Sequence, residues 1–90
     1  MSASHLVVFP SPAEPDSPAG RIRRLQVEAR SLAREHIEML AAALTEVSRL
    51  SAEIADGGEV YPVGAREISR RLTDEIGKQA LTLTAIVDRT

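Results

Sequence analysis

RIRRLQVEARSLAREHIEMLAAALTEVSRLSAEIAD, residues 21–56, is the stretch that decides the fold of this chain. Its apolar positions are Ile22, Leu25, Ala29, Leu32, Ala33, Ile37, Leu40, Ala43, Leu44, Val47, Leu50 and Ile54. Steps of three and four residues connect them from end to end, which is the repeat of one face of an α-helix and of no strand. The residues between are mostly Arg, Glu, Gln, Ser and Ala, good helix formers that suit a wetted face. Gly57 and Gly58 follow at once, and glycine just past a periodic stretch is the usual left-handed helix stop. A helix of this length would extend about 54 Å, too far for one element of a compact globule.

Working outward, the link 57–64 holds three glycines and Pro62, so the chain should reverse there. Val60, Tyr61 and Val63 are apolar for so short a link and are expected to fold over the end of the reversal as a plug. A second helix is expected over residues 65–88, with its stripe at Ile68, Leu72, Ile76, Ala80, Leu83, Ile86 and Val87. Glu67 with Arg71 and Asp74 with Lys78 have the spacing of supporting ion pairs on its flanks. Gly77 costs about 1 kcal/mol inside a helix, and close approach of another backbone would explain it. The alternating Leu81-Thr82-Leu83-Thr84 makes the last turns the least helical in composition.

Two helices and a tight turn make an antiparallel hairpin, an all-α fold. The second helix is the shorter and should run out about opposite residue 30, leaving Ile22, Leu25 and Ala29 without cover. Two helices shield only part of each other's stripe, and association of two hairpins into a four-helix bundle is the simplest remedy. Residues 1–20 carry four of the five prolines, Pro10, Pro12, Pro15 and Pro18, among Ser, Ala, Glu and Asp, a composition expected to stay disordered as an N-terminal arm. Its one apolar run, Leu6-Val7-Val8-Phe9, could dock on an exposed groove of this or another chain.

Composition removes several classes of function. Ninety residues allow one small domain, and a net charge of −2 marks neither a basic nucleic-acid arm nor an acidic tail. No cysteine means no disulfide framework and no thiolate metal site, and a reducing cytoplasm is the expected compartment. No apolar run approaches the ~20 residues of a membrane span, and no basic segment opens a signal peptide. Aromatic residues are only Phe9 and Tyr61, both off the stripes. A core of Leu, Ile, Val and Ala in so short a chain is marginal by itself, which again points to association, most simply as a homodimer or with a different protein.

No spacing carries catalysis. There is no phosphate-cradling glycine loop, nucleophile elbow or His-Glu-x-x-His, and the Glu-x-x-His pairs of bundle di-metal centres are missing. Glu35, Glu38, Asp74 and Glu75 are then surface carboxylates; no catalytic residue, metal site or cofactor is expected. His36 lies on the stripe between Ala33 and Leu40, either as a packed core residue or as a functional base. The segment Arg34-Glu35-His36-Ile37-Glu38-Met39-Leu40 resembles the phosphoacceptor helix of histidine kinase dimerisation domains, themselves dimers of helical hairpins. The resemblance implies a phosphotransfer role for His36. It covers about one helical turn: the acid precedes the histidine here, and the family's downstream proline and ATP-binding domain do not follow.

Two arginine clusters, Arg21, Arg23 and Arg24 and then Arg66, Arg70 and Arg71, could contact phosphates of a nucleic acid or acidic groups of a partner. Glu67, Asp74 and Glu75 interrupt the second cluster, and the first crowds a helix start, where the macrodipole disfavours cations. The sequence therefore reads as a small helical interaction or assembly protein, similar in look to Ala-, Arg- and Glu-rich helical proteins of bacteria. Its expected interface is Ile22, Leu25, Leu32, Leu40, Leu44, Val47, Leu72, Ile76 and Leu83, and a DNA-binding or antitoxin-like regulator is the alternative.

Overall fold

The computed structural model describes residues 17–89, which form helix α1 (Pro18–Ala55), a single 3₁₀ turn (Gly58–Val60) and helix α2 (Val63–Asp88). The chain is an all-α hairpin, and among the described residues there is no strand. The described residues divide into two packing units, 17–33 and 34–89, and α1 contributes to both.

In the first unit, α1 begins three residues before the expected position 21. Ser17 caps it: the Gly20 N–H donates to Ser17 Oγ at 2.9 Å and the Arg21 N–H donates to the Ser17 carbonyl at 2.8 Å. Pro18 takes the first helical position, where its missing N–H costs nothing and its fixed φ already suits a helix. The cap moves Arg21, Arg23 and Arg24 beyond the first turn, which relieves the dipole conflict expected for them. Ile22, Leu25 and Leu32 are exposed in this unit. The remainder of the expected arm, residues 1–16 with the run 6–9, lies outside the described residues.

The second unit holds the hairpin. Past Ala55 the Gly57 N–H still donates to the Ile54 carbonyl, and Gly58 then turns the chain at φ +80°, a left-handed conformation that glycine adopts without strain. The Tyr61 ring lies so close to Gly57 that a methyl there would overlap it. The Tyr61 N–H donates back to the Gly58 carbonyl at 3.1 Å, and the Tyr61 carbonyl accepts from Arg66 Nε at 3.1 Å. The expected plug is thus corrected to one ring: Val60 is 88% exposed and Val63 is also open to solvent. α2 starts at Val63, two residues early, because Pro62 supplies the first carbonyl, which the Arg66 N–H finds at 3.1 Å.

Small side chains make the seam between the helices. Ala41, Ser51 and Ala55 of α1 and Ser69, Ala80 and Val87 of α2 are its buried residues. Ser48 Oγ donates to the Thr73 carbonyl across the seam at 3.1 Å, and a Cβ on Gly77 would stand 3.2 Å from the same oxygen. The close approach inferred for Gly77 is therefore that of α1. At the far end, Glu38 of α1 lines one groove with Val87 and Asp88 of α2, so α2 finishes near residue 38 rather than opposite residue 30. The β-prone Thr82 and Thr84 stay helical by turning their hydroxyls onto the Lys78 and Ala80 carbonyls, each at 3.0 Å. Glu67 pairs with Arg70 at 3.6 Å instead of with Arg71, and no ion pair joins Asp74 to Lys78.

The turn gives a direct test. Gly58→Val places a β-branched residue in the left-handed region and should lower hairpin stability by about 1–2 kcal/mol in urea denaturation followed by circular dichroism. Unchanged stability would mean that residue 58 does not hold that conformation in solution.

Candidate interaction face

Because the seam is lined by small residues, the large apolar side chains of the second unit are left beside it. On α1, Leu40, Val47 and Leu50 are 52%, 41% and 46% exposed, and Leu44 and Ile54 are half-buried. On α2, Ile68 and Ile86 are 59% and 43% exposed, with Leu72, Ile76 and Leu83 half-buried. The outermost of these stand roughly a quarter turn from the seam, in the same sense about each helix viewed from its N-terminus. Since α1 and α2 run in opposite directions, the same sense brings both sets to one side of the hairpin.

The other side is different in character. Thr45, Ser48, Arg49 and Ala52 of α1 line a groove with Thr73, Gly77, Ala80, Leu81 and Thr84 of α2. Its threonine hydroxyls are satisfied internally, Thr45 Oγ1 on the Ala41 carbonyl at 3.0 Å and Thr73 Oγ1 on the Ser69 carbonyl at 2.8 Å. The two sides of the hairpin differ, with most of the large aliphatic residues on one and Thr, Ser and Arg together with the exposed Leu81 on the other.

The expected interface residues of this unit divide accordingly. Leu40 and Val47 lie on the open apolar face, while Leu44, Leu72, Ile76 and Leu83 sit where that face meets the seam. Sequence periodicity missed that the seam is separate from the stripe. The signal for it was the series Ala41, Ser48, Ser51, Ala55 set against Ser69, Gly77 and Ala80, small residues at helical spacing.

The arginines of α2 are partly committed to the fold. Arg66 holds the Tyr61 carbonyl, and Arg70 Nη2 lies 3.5 Å from the Ala55 carbonyl at the C-terminus of α1. A cation there also meets the negative end of the helix dipole. His36 is exposed, so it is not the packed core histidine that its position on the stripe suggested. Among the described residues no three His, Cys, Asp or Glu side chains gather as a metal site, and no helix is long and apolar enough to cross a membrane.

One charged cluster stands out on the groove side of α1. Arg49 bridges two carboxylates of its own helix, with Nε donating to Glu46 Oε1 at 3.0 Å and Nη1 donating to Glu53 Oε2. The hydrogen bond from Arg49, followed by its charge, holds the Glu46 carboxyl below the usual 4.5; the same bond and the two carboxylates strengthen the hold of Arg49 on its proton. One guanidinium for two carboxylates leaves this edge of α1 acidic.

No protein-family model, no curated protein and no solved structure matches this chain.

The cluster has a measurable consequence. A depressed folded pKa means that the Glu46–Arg49 contribution is present at neutral pH and is lost as pH falls through that lowered value. Carboxyl-resolved NMR titration should place the Glu46 midpoint below 4.5 in the wild type and return it toward 4.5 in Arg49→Ala. Identical midpoints in the two proteins would show that the bridge does not form in water.

Proposed function

We propose that this chain is a non-catalytic helical interaction or assembly protein, and that it works by pairing the apolar face of its hairpin with the helices of another polypeptide. The observation that carries the reading is the one-sided exposure of Leu40, Val47, Leu50, Ile68 and Ile86 over a seam of small residues. Fully burying one such side chain contributes about 1.5–3 kcal/mol. These five are about half exposed, so covering them on two associating hairpins offers on the order of 10 kcal/mol before the costs of association. A ridge of half-exposed aliphatic residues on two antiparallel helices is also the geometry that the four-helix bundle completes.

The interior of the hairpin argues the same way. Its buried apolar residues are Ala41, Ala55, Ala80 and Val87, and no large side chain is fully buried among the described residues. Such a core is small for independent stability, and binding would supply what the fold lacks. DNA binding through Arg66, Arg70 and Arg71 has less support, because Arg66 and Arg70 are turned toward main-chain carbonyls.

Leu40→Asp tests the reading directly. Leu40 does not fill the seam, so the substitution should abolish association while the isolated hairpin still forms at low temperature, and its helicity should no longer depend on concentration as that of the wild type does. The check is molar mass by light scattering after size exclusion, with far-ultraviolet circular dichroism across a concentration series. An oligomer of unchanged mass and affinity would remove the apolar face from the function.

A further inference from the structure

The apolar face is interrupted by two polar side chains on α2. Ile68, Leu72, Glu75, Gln79, Thr82 and Ile86 form one row there, at alternating steps of four and three residues, the spacing of a helix seam. At about 100° per residue, Glu75 and Gln79 stand within about 20° of Ile68 and Ile86 around the helix. Both are exposed, and among the described residues no ion pair or side-chain hydrogen bond engages either. A partner with purely apolar helices would cover a carboxylate and an amide without hydrogen bonds, which opposes binding.

The row is symmetric about Gly77, with its members nine, five and two residues to either side. Laid antiparallel on itself, it pairs Ile68 with Ile86, Leu72 with Thr82 and Glu75 with Gln79, and it makes each pair twice. The Gln79 amide then donates to the Glu75 carboxylate of the opposite row. The hairpin sets α1 at a matching level. Ser48 stands against Thr73 and Gly77, and Ala55 against Arg70, so each step up α1 is one step down α2. In that register Gly77 is level with Val47, to within about two residues or 3 Å of rise. Val47 is the middle member of the α1 row Leu40, Ala43, Val47, Leu50 and Ile54. One two-fold axis across the helices at this level therefore reverses both rows on themselves.

We propose that a second copy of this chain covers the apolar face about that axis, so that α1 lies antiparallel on α1 of the other copy and α2 antiparallel on α2. This rests on the interaction reading above and adds the partner and its register. The two rows are about 21 and 27 Å long, and two helices spaced about 8–10 Å apart present a strip roughly 20 Å wide. Each copy thus offers about 500 Å² in projection and the pair about 1,000 Å², the size at which a specific interface begins. A two-fold along the helices would instead lay α1 on α2. Leu50 and Val47 would then cover Glu75 and Gln79 of the other copy, and the carboxylate would have no donor. The proposed axis sets aliphatic residues on aliphatic residues and gives the polar pair its hydrogen bonds.

Two full-length variants, Gln79→Glu and Glu75→Lys, test the arrangement. Gln79→Glu sets carboxylate against carboxylate at both symmetric contacts and should dimerise about tenfold more weakly than the wild type at low salt. In an equimolar mixture of the two variants, one contact joins the introduced ammonium to the introduced carboxylate and the other is the wild-type pair. The mixed dimer should therefore be at least about tenfold tighter than the Gln79→Glu dimer, and added salt should shrink both differences. Sedimentation velocity with one protein fluorescently labelled reads these affinities, and wild-type helicity in the mixture excludes failure to fold. A Gln79→Glu protein that dimerises like the wild type, or a mixture no tighter than the Gln79→Glu dimer, would overturn the register while leaving the Leu40→Asp result to judge the apolar face. A wild type of single-chain mass at every concentration would overturn the second copy as occupant.

Discussion

Close approach of α1 and α2 at Ser48 and Gly77 is the constraint on which the hairpin depends. A serine hydroxyl bonded to the Thr73 carbonyl, and a glycine whose Cβ would stand 3.2 Å from that hydroxyl, leave no space for Leu or Ile between the helices there. The small residues above and below, Ala41, Ser51, Ala55, Ser69 and Ala80, keep the same narrow gap. Narrowness has an energetic consequence, because burying alanines and serines removes little apolar area from water. The hairpin is thereby shaped by its seam without being strongly stabilised by it. The free energy available in Leu40, Val47, Leu50, Ile68 and Ile86 remains unspent on the surface.

The turn is built to the same specification. Gly58 reverses the chain in a conformation that side chains resist, the Tyr61 ring closes over Gly57, and Arg66 and Arg70 tie the start of α2 to the link and to the last turn of α1. These contacts set which residue of α2 stands beside which residue of α1. A register fixed at the turn is carried along both helices at 1.5 Å per residue. Residues far from the turn, down to Glu38 beside Val87 and Asp88, inherit their levels from it.

Much of this was legible in the sequence, and the parts that were not share a cause. The stripe from Ile22 to Ile54 and the glycines at 57 and 58 specify two helices and a reversal, since hydrophobic period and glycine placement are local signals. The start of α1 was local too, but the prolines around Ser17-Pro18 masked a capping pair that ends the Pro-rich segment. The seam was harder. A periodic stripe says that a helix has an apolar side, and it does not say which neighbour covers that side. Here the neighbour within the chain takes the small residues next to the stripe and, of the expected stripe, Ala80 and Val87, while Leu40, Val47, Leu50, Ile68 and Ile86 stay exposed. Tyr61 was read as part of a three-residue plug because composition cannot distinguish a ring that meets a glycine backbone from valines that point to solvent.

The packing of the hairpin also bears on the proposed pairing of its apolar face. Leu44, Leu72, Ile76 and Leu83 sit between the seam and the open face, so the packing of the hairpin and the covering of its face are not independent. A partner that seats on Leu40 and Val47 also presses on Leu44, and through it on the seam. On the proposed pairing, association and folding would be coupled, and the population of ordered hairpin would rise with the concentration of whatever covers it. Added volume is opposed along the seam: a Cβ on Gly77 would stand 3.2 Å from Ser48 Oγ, so that hydroxyl, which also holds the Thr73 carbonyl, would have to give by a few tenths of an ångström.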